Sequence, residues 1–264
     1  MRLFVAATFA LALTWAVSAE QRGTAVPRPS APATRDAAVP FKPGETLTYD
    51  VSWSQFITAG TAVARVVEKK ASYGSTAYYI VADGRPVPLV ARFYPLYYKM
   101  DSLLDTVSLL SQYSSLYQEQ KSGKRLATTR FDRTSRVAQF EQPGQPEGKG
   151  HFAIPTNVQD GLSTLYSLRG HAFKAGERLT VPVADDGSIY SVTFEVSGPE
   201  RVRVPFGEND AWNLTVTVLN SEGKPAANNV RSWISTDARR LPLKLQADLP
   251  VGSFVLGLRD AQQQ

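Results

Sequence analysis

The sequence predicts a mainly β protein, an antiparallel β-barrel or closed sandwich of about a dozen strands in two similar halves, with one short amphipathic helix near 157–169. The first observation is alternation. Leu47, Tyr49, Val51 and Trp53 alternate with polar residues, which is typical of a strand with one buried face. The second is that Gly-containing turn signals separate many such short segments. This spacing favours an antiparallel barrel or sandwich.

Further strand segments are spread along the chain. The same alternation recurs over 189–196, 212–218 and 230–234. Other strand-like runs are found at 62–68, 77–82, 87–94, 112–119, 125–131, 241–247 and 253–258. The turn signals between strands contain Gly74, Gly123, Gly187 and Gly223.

The segment 157–169 breaks the period of two and predicts a helix of about three turns. Thr156 and Gln159 have the spacing of a capping box, in which each side chain bonds a free amide of the other residue. Arg169 and Gly170 suit the end of a helix. We expect the apolar face to close one end of the barrel or to lie across the sheet. The residues of that face are Val158, Leu162, Leu165 and Tyr166.

A weak internal repeat supports the two halves. Residues 41–51 and 173–183 are identical at seven of eleven positions, at an offset of 132. One interpretation is two half-sheets of similar plan that close on one another. The alternative is a common Gly turn that leads into a strand twice by chance.

The N-terminus predicts export. Residues 1–19 have a positive start, an apolar stretch and small residues before a cleavage site after Ala19, which is typical of a signal peptide. The apolar stretch is shorter than the ~20 residues that cross a bilayer, so we expect no membrane span after cleavage. Residues 20–40 are rich in Pro and Ala and predict a flexible linker. Residues 41–264 then form a single β-rich domain.

Composition excludes several kinds of function. The chain has no cysteine, which excludes thiolate zinc sites, iron–sulfur clusters and Cys nucleophiles. Its two histidines and formal net charge of +5 give no metal motif and no basic stripe for nucleic acid. We predict no cofactor, no metal and no nucleic-acid partner.

Four motifs follow one another along the chain and together cover roughly residues 41 to 258. They are Phe41-x-x-Gly44-Glu45-x-Leu47-x-Tyr49 with Ala59-Gly60, Asp160-x-Leu162-Ser163-x-Leu165-Tyr166-x-Leu168-Arg169, Gly198-x-Glu200 with Pro205-x-Gly207, and Trp233-x-Ser235-x-Asp237-x-x-Arg240-Leu241-Pro242. In this order they resemble a bacterial exported family, catalogued as a domain of unknown function, number thirty-one hundred and eight. The resemblance implies a periplasmic β-rich domain and brings no reaction or ligand.

The sequence contains no convincing set of catalytic residues. Ser163 lies between His151 and His171 with Asp160 nearby, but a Ser–His–Asp set needs a base within hydrogen-bond reach of the nucleophile. A local hydrogen bond on the helix explains Ser163 and Asp160 more simply. Paired carboxylates such as Asp101 and Asp105 are better explained by a solvated face. We therefore predict no enzyme, and a hydrolase stays the disfavoured alternative.

Structural roles are expected for the motif residues. Asp160 and Arg169 suit the two ends of the helix dipole. Arg169, Asp237 and Arg240 have a second interpretation, as partners between the helix and the C-terminal strand. The predicted structural set is Gly44, Glu45, Asp160, Ser163, Tyr166, Arg169, Asp237 and Arg240.

The aromatic run at 93–98 is the best candidate for ligand contact, because Tyr and Phe give a large contact area with a polar tip. We predict a non-enzymatic periplasmic barrel module that binds an apolar or amphipathic ligand, such as a lipid or envelope glycolipid. The alternative is an envelope scaffold that binds other proteins. The candidate ligand residues are Tyr94, Tyr97, Tyr98, Trp53 and Tyr49.

Overall fold

The computed structural model describes residues 35–53, 57–144, 149–249 and 252–263. The predicted signal peptide and most of the predicted linker lie outside the described residues. The strands are β1 (Glu45–Trp53), β2 (Ile57–Ser72), β3 (Ser75–Pro86), β4 (Leu96–Asp105), β5 (Ser111–Gln120), β6 (Gly123–Asp132), β7 (Val137–Glu141), β8 (Lys149–Ala153), β9 (Arg178–Asp185), β10 (Ser188–Val204), β11 (Gly207–Leu219), β12 (Asn228–Ser235), β13 (Pro242–Leu249) and β14 (Gly252–Gln263). The helices are α1 (Pro88–Ala91) and α2 (Gly161–Arg169).

The sheet consists of two antiparallel meanders, β1–β8 and β9–β14, which are joined by the pairing of β1 with β14. Within the described ranges, the sheet has fourteen strands in the order β8-β7-β6-β5-β4-β3-β2-β1-β14-β13-β12-β11-β10-β9. The chain moves outward from β1 to β8, passes through α2 to β9, and returns to β14, which pairs with β1. The predicted β class, strand number and barrel-like plan are confirmed. Strands β8 and β9 are the two sheet edges, so the hydrogen-bonded sheet is not closed.

The repeat has the same local geometry in both copies. Gly44 and Gly176 have φ of +91° and +80°, a region that glycine enters without steric cost. The Gly44 N–H donates to the Val66 carbonyl on β2, and the Gly176 N–H donates to the Val196 carbonyl on β10, both at 2.8 Å. The two copies therefore begin the two meanders with the same turn.

The helix begins later than the sequence predicts. The capping residue is Asp160, whose side chain accepts a hydrogen bond from the Ser163 N–H, and α2 spans only nine residues. The proposed capping box at Thr156 and Gln159 is wrong. The backbone of Gln159 pairs instead with β9, through the Pro182 carbonyl and the Ala184 N–H. The Gln159 side chain is bonded to Ser111 and to the Leu109 carbonyl rather than to the backbone of Thr156.

The strand-like run 87–94 is also not a strand. Residues Pro88–Ala91 form α1, a single turn with proline at its first position. Proline has no N–H for a ladder and its fixed φ suits the start of a helix. The segment 87–95 therefore leaves the sheet and connects β3 to β4.

The last residues of the predicted linker contact the sheet. Asp36 accepts hydrogen bonds from Lys69 Nζ at 2.7 Å and Thr106 Oγ1 at 2.6 Å. The Ala37 N–H donates to the Thr106 carbonyl, and Val39 packs against buried apolar residues. Residues 35–40 therefore belong to the folded unit.

Helix α2 packs among strands of both meanders. It contacts β3 and β4, which belong to the first meander, and β9, which belongs to the second. Leu162 and Tyr166 join the apolar cluster that includes Phe41, whereas Leu168 joins the cluster that includes Phe173. Of the predicted apolar face, Leu162 and Tyr166 are buried in α2, whereas Val158 precedes the helix and Leu165 is only half-buried. Polar residues of α2 are buried too. The helix fills space between the meanders.

A buried ion pair joins α2 to β1. Arg169 donates from Nη1 to Glu45 Oε1 at 2.5 Å and from Nη2 to Glu45 Oε2 at 2.8 Å. Its Nε and Nη2 also donate to the carbonyls of Arg240 and Arg239 in the β12–β13 connection. Burial works to lower the pKa of Arg169, but the hydrogen bonds and charge of Glu45 outweigh it and raise the pKa. Arg169 therefore stays charged and bonds β1 and the β12–β13 connection at the same time.

We predict that Arg169→Met lowers the free energy of unfolding by about 3–5 kcal/mol, because it leaves the buried Glu45 carboxylate without its partner. The measurement is urea unfolding followed by circular dichroism. Arg178→Met is the control, because Arg178 forms an exposed pair with Glu195 and exposed pairs contribute less than about 1 kcal/mol. Equal losses in the two variants would contradict the assignment.

Candidate functional site

An open groove of about 490 Å³ lies at one end of β3, β4 and β5. Pro86 ends β3, Leu96 begins β4, and Gln120 ends β5 opposite Leu96. The α1 connection forms one wall and the β5–β6 turn the other. The groove is lined by Arg85, Pro86, Ala91, Pro95, Leu96, Tyr97, Glu119, Gln120 and Lys121.

Gly60 on β2 allows the β3 end to approach closely. A Cβ atom built there would lie 2.6 Å from the Arg85 carbonyl oxygen, a distance that no side chain tolerates. Next to it, the Val87 N–H donates to the Ala59 carbonyl at 2.9 Å. These contacts fix the backbone at Arg85 and at the start of the α1 connection.

The groove carries positive charge over an aromatic wall. The Arg85 guanidinium lies 4.9 Å from the Tyr97 ring centroid. Glu119 accepts a hydrogen bond from the Tyr117 hydroxyl and pairs with Lys124 at 3.3 Å, and both contacts lower the pKa of its carboxyl. In the described ranges no carboxylate forms an ion pair with Arg85 or Lys121. These two cations are available to an anionic ligand.

The aromatic residues predicted to contact a ligand lie in different parts of the structure. Tyr97 lines the groove. Tyr94 is 71% exposed in the α1 connection, and Trp53 is 41% exposed at the same end of the sheet, where β1 turns into β2. Tyr98 follows Tyr97 in β4, so its side chain is on the other face. It is half-buried, and burial raises its pKa, as does the charge of Asp185.

Tyr49 belongs to the core instead. Its ring is buried within an apolar cluster and its hydroxyl donates to the Pro242 carbonyl at 3.0 Å. Burial is the main cause of the raised pKa of this hydroxyl. Tyr49 therefore packs the β1 face rather than contacting a ligand.

Ser163 and Asp160 form a buried polar cluster with Ser102. The Ser102 hydroxyl donates to Asp160 Oδ2 at 2.7 Å and lies 2.5 Å from the Ser163 hydroxyl. His171 contacts Glu177 at 2.9 Å, and His151 lies on the edge strand β8. In the part of the chain that the structure describes, no histidine is hydrogen-bonded to Ser163. The cluster holds α2 against β4.

The remaining motif residues also have local partners. Asp237 accepts hydrogen bonds from the Ser235 hydroxyl and Arg239, while Arg240 donates to the carbonyls of Arg169 and His171. Arg169 and Arg240 thus contact each other across the helix and the β12–β13 connection, as the second interpretation predicts, whereas Asp237 bonds its own neighbours and the charged partner of Arg169 is Glu45. Tyr166 is fully buried against Phe41 and Arg169, and this burial raises the pKa of its hydroxyl.

A small cavity lies beside the buried cluster. It measures about 30 Å³, and Met100, Phe140, Asp160 and Asp185 are among its lining residues. Burial, and then the charge of Asp186, raises the pKa of Asp185. A space of this size holds about one water molecule. It cannot hold an acyl chain.

Sequence reasoning missed the cations of the groove. Arg85 and Lys121 are 36 positions apart in the numbering and meet only through the β3–β4–β5 pairing. The sequence did contain one signal for this end of the sheet: the prolines at 86 and 88 mark where the chain leaves the sheet.

Comparison with known proteins identifies a family. A family model described as Protein of unknown function (DUF3108) matches residues 48–259. No curated protein matches the chain in sequence. In the described part of the chain, no helix combines the length and hydropathy that crossing a membrane requires.

Solved structures support the fold. A beta-barrel-like protein of domain of unknown function DUF1849 from Brucella abortus is 10% identical, with a TM-score of 0.51, and the alignment covers 83% of this chain and 97% of that one. A candidate lipoprotein from Parabacteroides distasonis is 9% identical, with a TM-score of 0.35 over 86% of this chain and 100% of that one. A candidate exported protein from Bacteroides fragilis is 10% identical, with a TM-score of 0.32 over 87% and 100%. Only the first likeness shows a shared fold.

We predict that Gly60→Ala lowers the free energy of unfolding by about 1–3 kcal/mol, because the new methyl group forces the β3 backbone away. Gly84→Ala is the matched control on the paired strand, where the nearest atom to a built Cβ is 3.8 Å away. The control should leave stability unchanged or raise it by up to about 1 kcal/mol. The measurement is chemical denaturation of both variants. A Gly60→Ala protein as stable as the unmodified chain would show that the close approach is not required.

Proposed function

This chain belongs to the family described as Protein of unknown function (DUF3108), and we propose that it is an exported, non-enzymatic protein that binds an anionic amphipathic ligand in the groove. A lipid or envelope glycolipid has the required chemistry. The observation that carries the proposal is the groove itself, in which two cations without an ion pair to any described residue lie beside an apolar and aromatic wall.

The size and lining of the groove suit such a ligand. Ligand sites usually measure about 300–1,000 Å³ and combine apolar walls with a few polar groups, and this groove measures about 490 Å³. Pro95, Leu96 and the Tyr97 ring offer a surface for a hydrocarbon chain. Arg85 and Lys121 offer hydrogen bonds and charge to a phosphate or carboxylate.

A surface site agrees better with the interior than a barrel lumen does. Helix α2 and its apolar contacts occupy the space between the meanders, and the small cavity has room for about one water molecule. A ligand at the end of the sheet requires no rearrangement of this core.

Export and the absence of a reaction are further parts of the proposal. The signal-peptide pattern at 1–19 supports a periplasmic location. The surroundings of Ser163 support a structural role, since its hydroxyl is enclosed with Ser102 and Asp160 rather than placed beside a base.

Binding of lysophosphatidylglycerol, a single-chain anionic lipid, tests the proposal. We expect the protein to bind it more tightly than lysophosphatidylcholine in isothermal titration calorimetry below the micelle concentration. Arg85→Gln combined with Lys121→Gln should raise the dissociation constant about tenfold or more, because two charge-assisted contacts are lost. Tyr97→Ala should weaken the binding of both lipids, because the ring no longer lines the groove.

Arg203→Gln is the control, because Arg203 is a highly exposed cation of β10 outside the groove lining. Its dissociation constant should match that of the unmodified chain. The proposal is wrong if lysophosphatidylglycerol does not bind, or if it binds the double variant as tightly as the control.

A further inference from the structure

We infer that the α1 connection, residues 87–95 together with Leu96, docks onto the surface of an anionic lipid bilayer. The inference rests on the proposed function, since it assigns the surface from which the groove receives its amphipathic ligand. It is carried by an ordered, exposed apolar segment with cations around it.

The segment concentrates exposed apolar side chains. Leu89, Phe93 and Tyr94 are 66%, 73% and 71% exposed, and Leu96 is 41% exposed. No residue of α1 is buried. Exposed apolar side chains gathered in so short a segment mark a contact surface, whereas single ones are ordinary.

Hydrogen bonds hold this segment in a fixed shape. The Ala91 N–H donates to the Val87 carbonyl at 2.9 Å, and the N–H groups of Phe93 and Tyr94 both donate to the Val90 carbonyl. The Val87 N–H is itself bound to β2. The apolar side chains are thus presented to solvent by a turn that is already formed.

The charge of the surrounding residues identifies the partner. The sequence from Arg85 to Leu96 contains two arginines and no acidic residue. Lys121 adds a third cation from the β5–β6 turn, and the nearby Glu119 is paired with Lys124. Aromatic and aliphatic residues beside Lys and Arg are typical of segments that lie in the interface of an anionic membrane.

The topology places the groove beside this contact. The β1–β2, β3–β4 and β5–β6 connections leave the sheet at the same end, as the pairings of Trp53 with Ile57, Gly60 with Pro86 and Leu96 with Gln120 show. Trp53, whose side chain is partly exposed, is at that end too. A docked α1 connection would bring the groove to the headgroup layer.

Co-sedimentation of the chain, as purified from cells, with vesicles tests the docking. We expect binding to vesicles of phosphatidylglycerol and phosphatidylethanolamine and weak binding to vesicles of phosphatidylcholine. Phe93→Ser combined with Tyr94→Ser should reduce binding to the anionic vesicles about tenfold or more, since two exposed rings no longer enter the interface. Both rings are exposed, so the variant should unfold at the same urea concentration as the unmodified chain.

Tyr73→Ser is the matched control. Tyr73 is 53% exposed and lies in the β2–β3 turn, at the opposite end of these strands. Its variant should bind vesicles as the unmodified chain does. The two variants share the same N-terminal residues, so those residues cannot cause a difference between them.

The outcomes separate docking from ligand binding. Equal vesicle binding by Phe93→Ser/Tyr94→Ser and Tyr73→Ser, equal binding to both kinds of vesicle, or no vesicle binding overturns the docking. If lysophosphatidylglycerol still binds in those cases, the groove proposal stands alone. If vesicles bind through Phe93 and Tyr94 but lysophosphatidylglycerol does not bind, the docking stands and the proposed ligand is wrong.

Discussion

The buried ion pair between Glu45 and Arg169 is the constraint around which the two meanders are arranged. Removing two charges from water is costly unless every donor and acceptor finds a partner. The Arg169 guanidinium finds its partners where α2, the start of β1 and the β12–β13 connection come together. In the second copy of the repeat, Glu177 contacts His171 near the surface instead. The same turn therefore serves the interior in one copy and the surface in the other.

Local patterns in the sequence predicted the sheet well because alternation and turn residues act within a few positions. In β1, for example, Glu45, Leu47 and Tyr49 are buried and the residues between them are not. The same reasoning failed at 87–94, where the apolar residues resemble a strand but Pro88 has no N–H for a ladder and begins α1 instead. It also failed at Gln159, whose backbone bonds a strand that follows later in the chain.

The candidate site was predictable only in part for a related reason. Tyr97 was found from the aromatic run, because clustered rings are visible in one stretch of sequence. Arg85 and Lys121 come from different hairpins, and only the register of β3, β4 and β5 places them in one groove. Tyr49 has the same residue type as Tyr97 and packs in the core, since the face of a strand that is buried depends on what packs against it.

The packing of α2 favours the proposed binding site at the end of the sheet over one between the meanders. A lumen large enough for an acyl chain would require α2 to leave its position. That movement would expose Leu162 and Tyr166 and separate Arg169 from Glu45, so its cost would include an unpaired buried charge. A ligand bound at the end of the sheet would not cause this loss, because α1 buries no side chain. The packed interior thus provides stability, and the exposed connection at the end of the sheet is left for recognition, as is common for loops on a fixed scaffold.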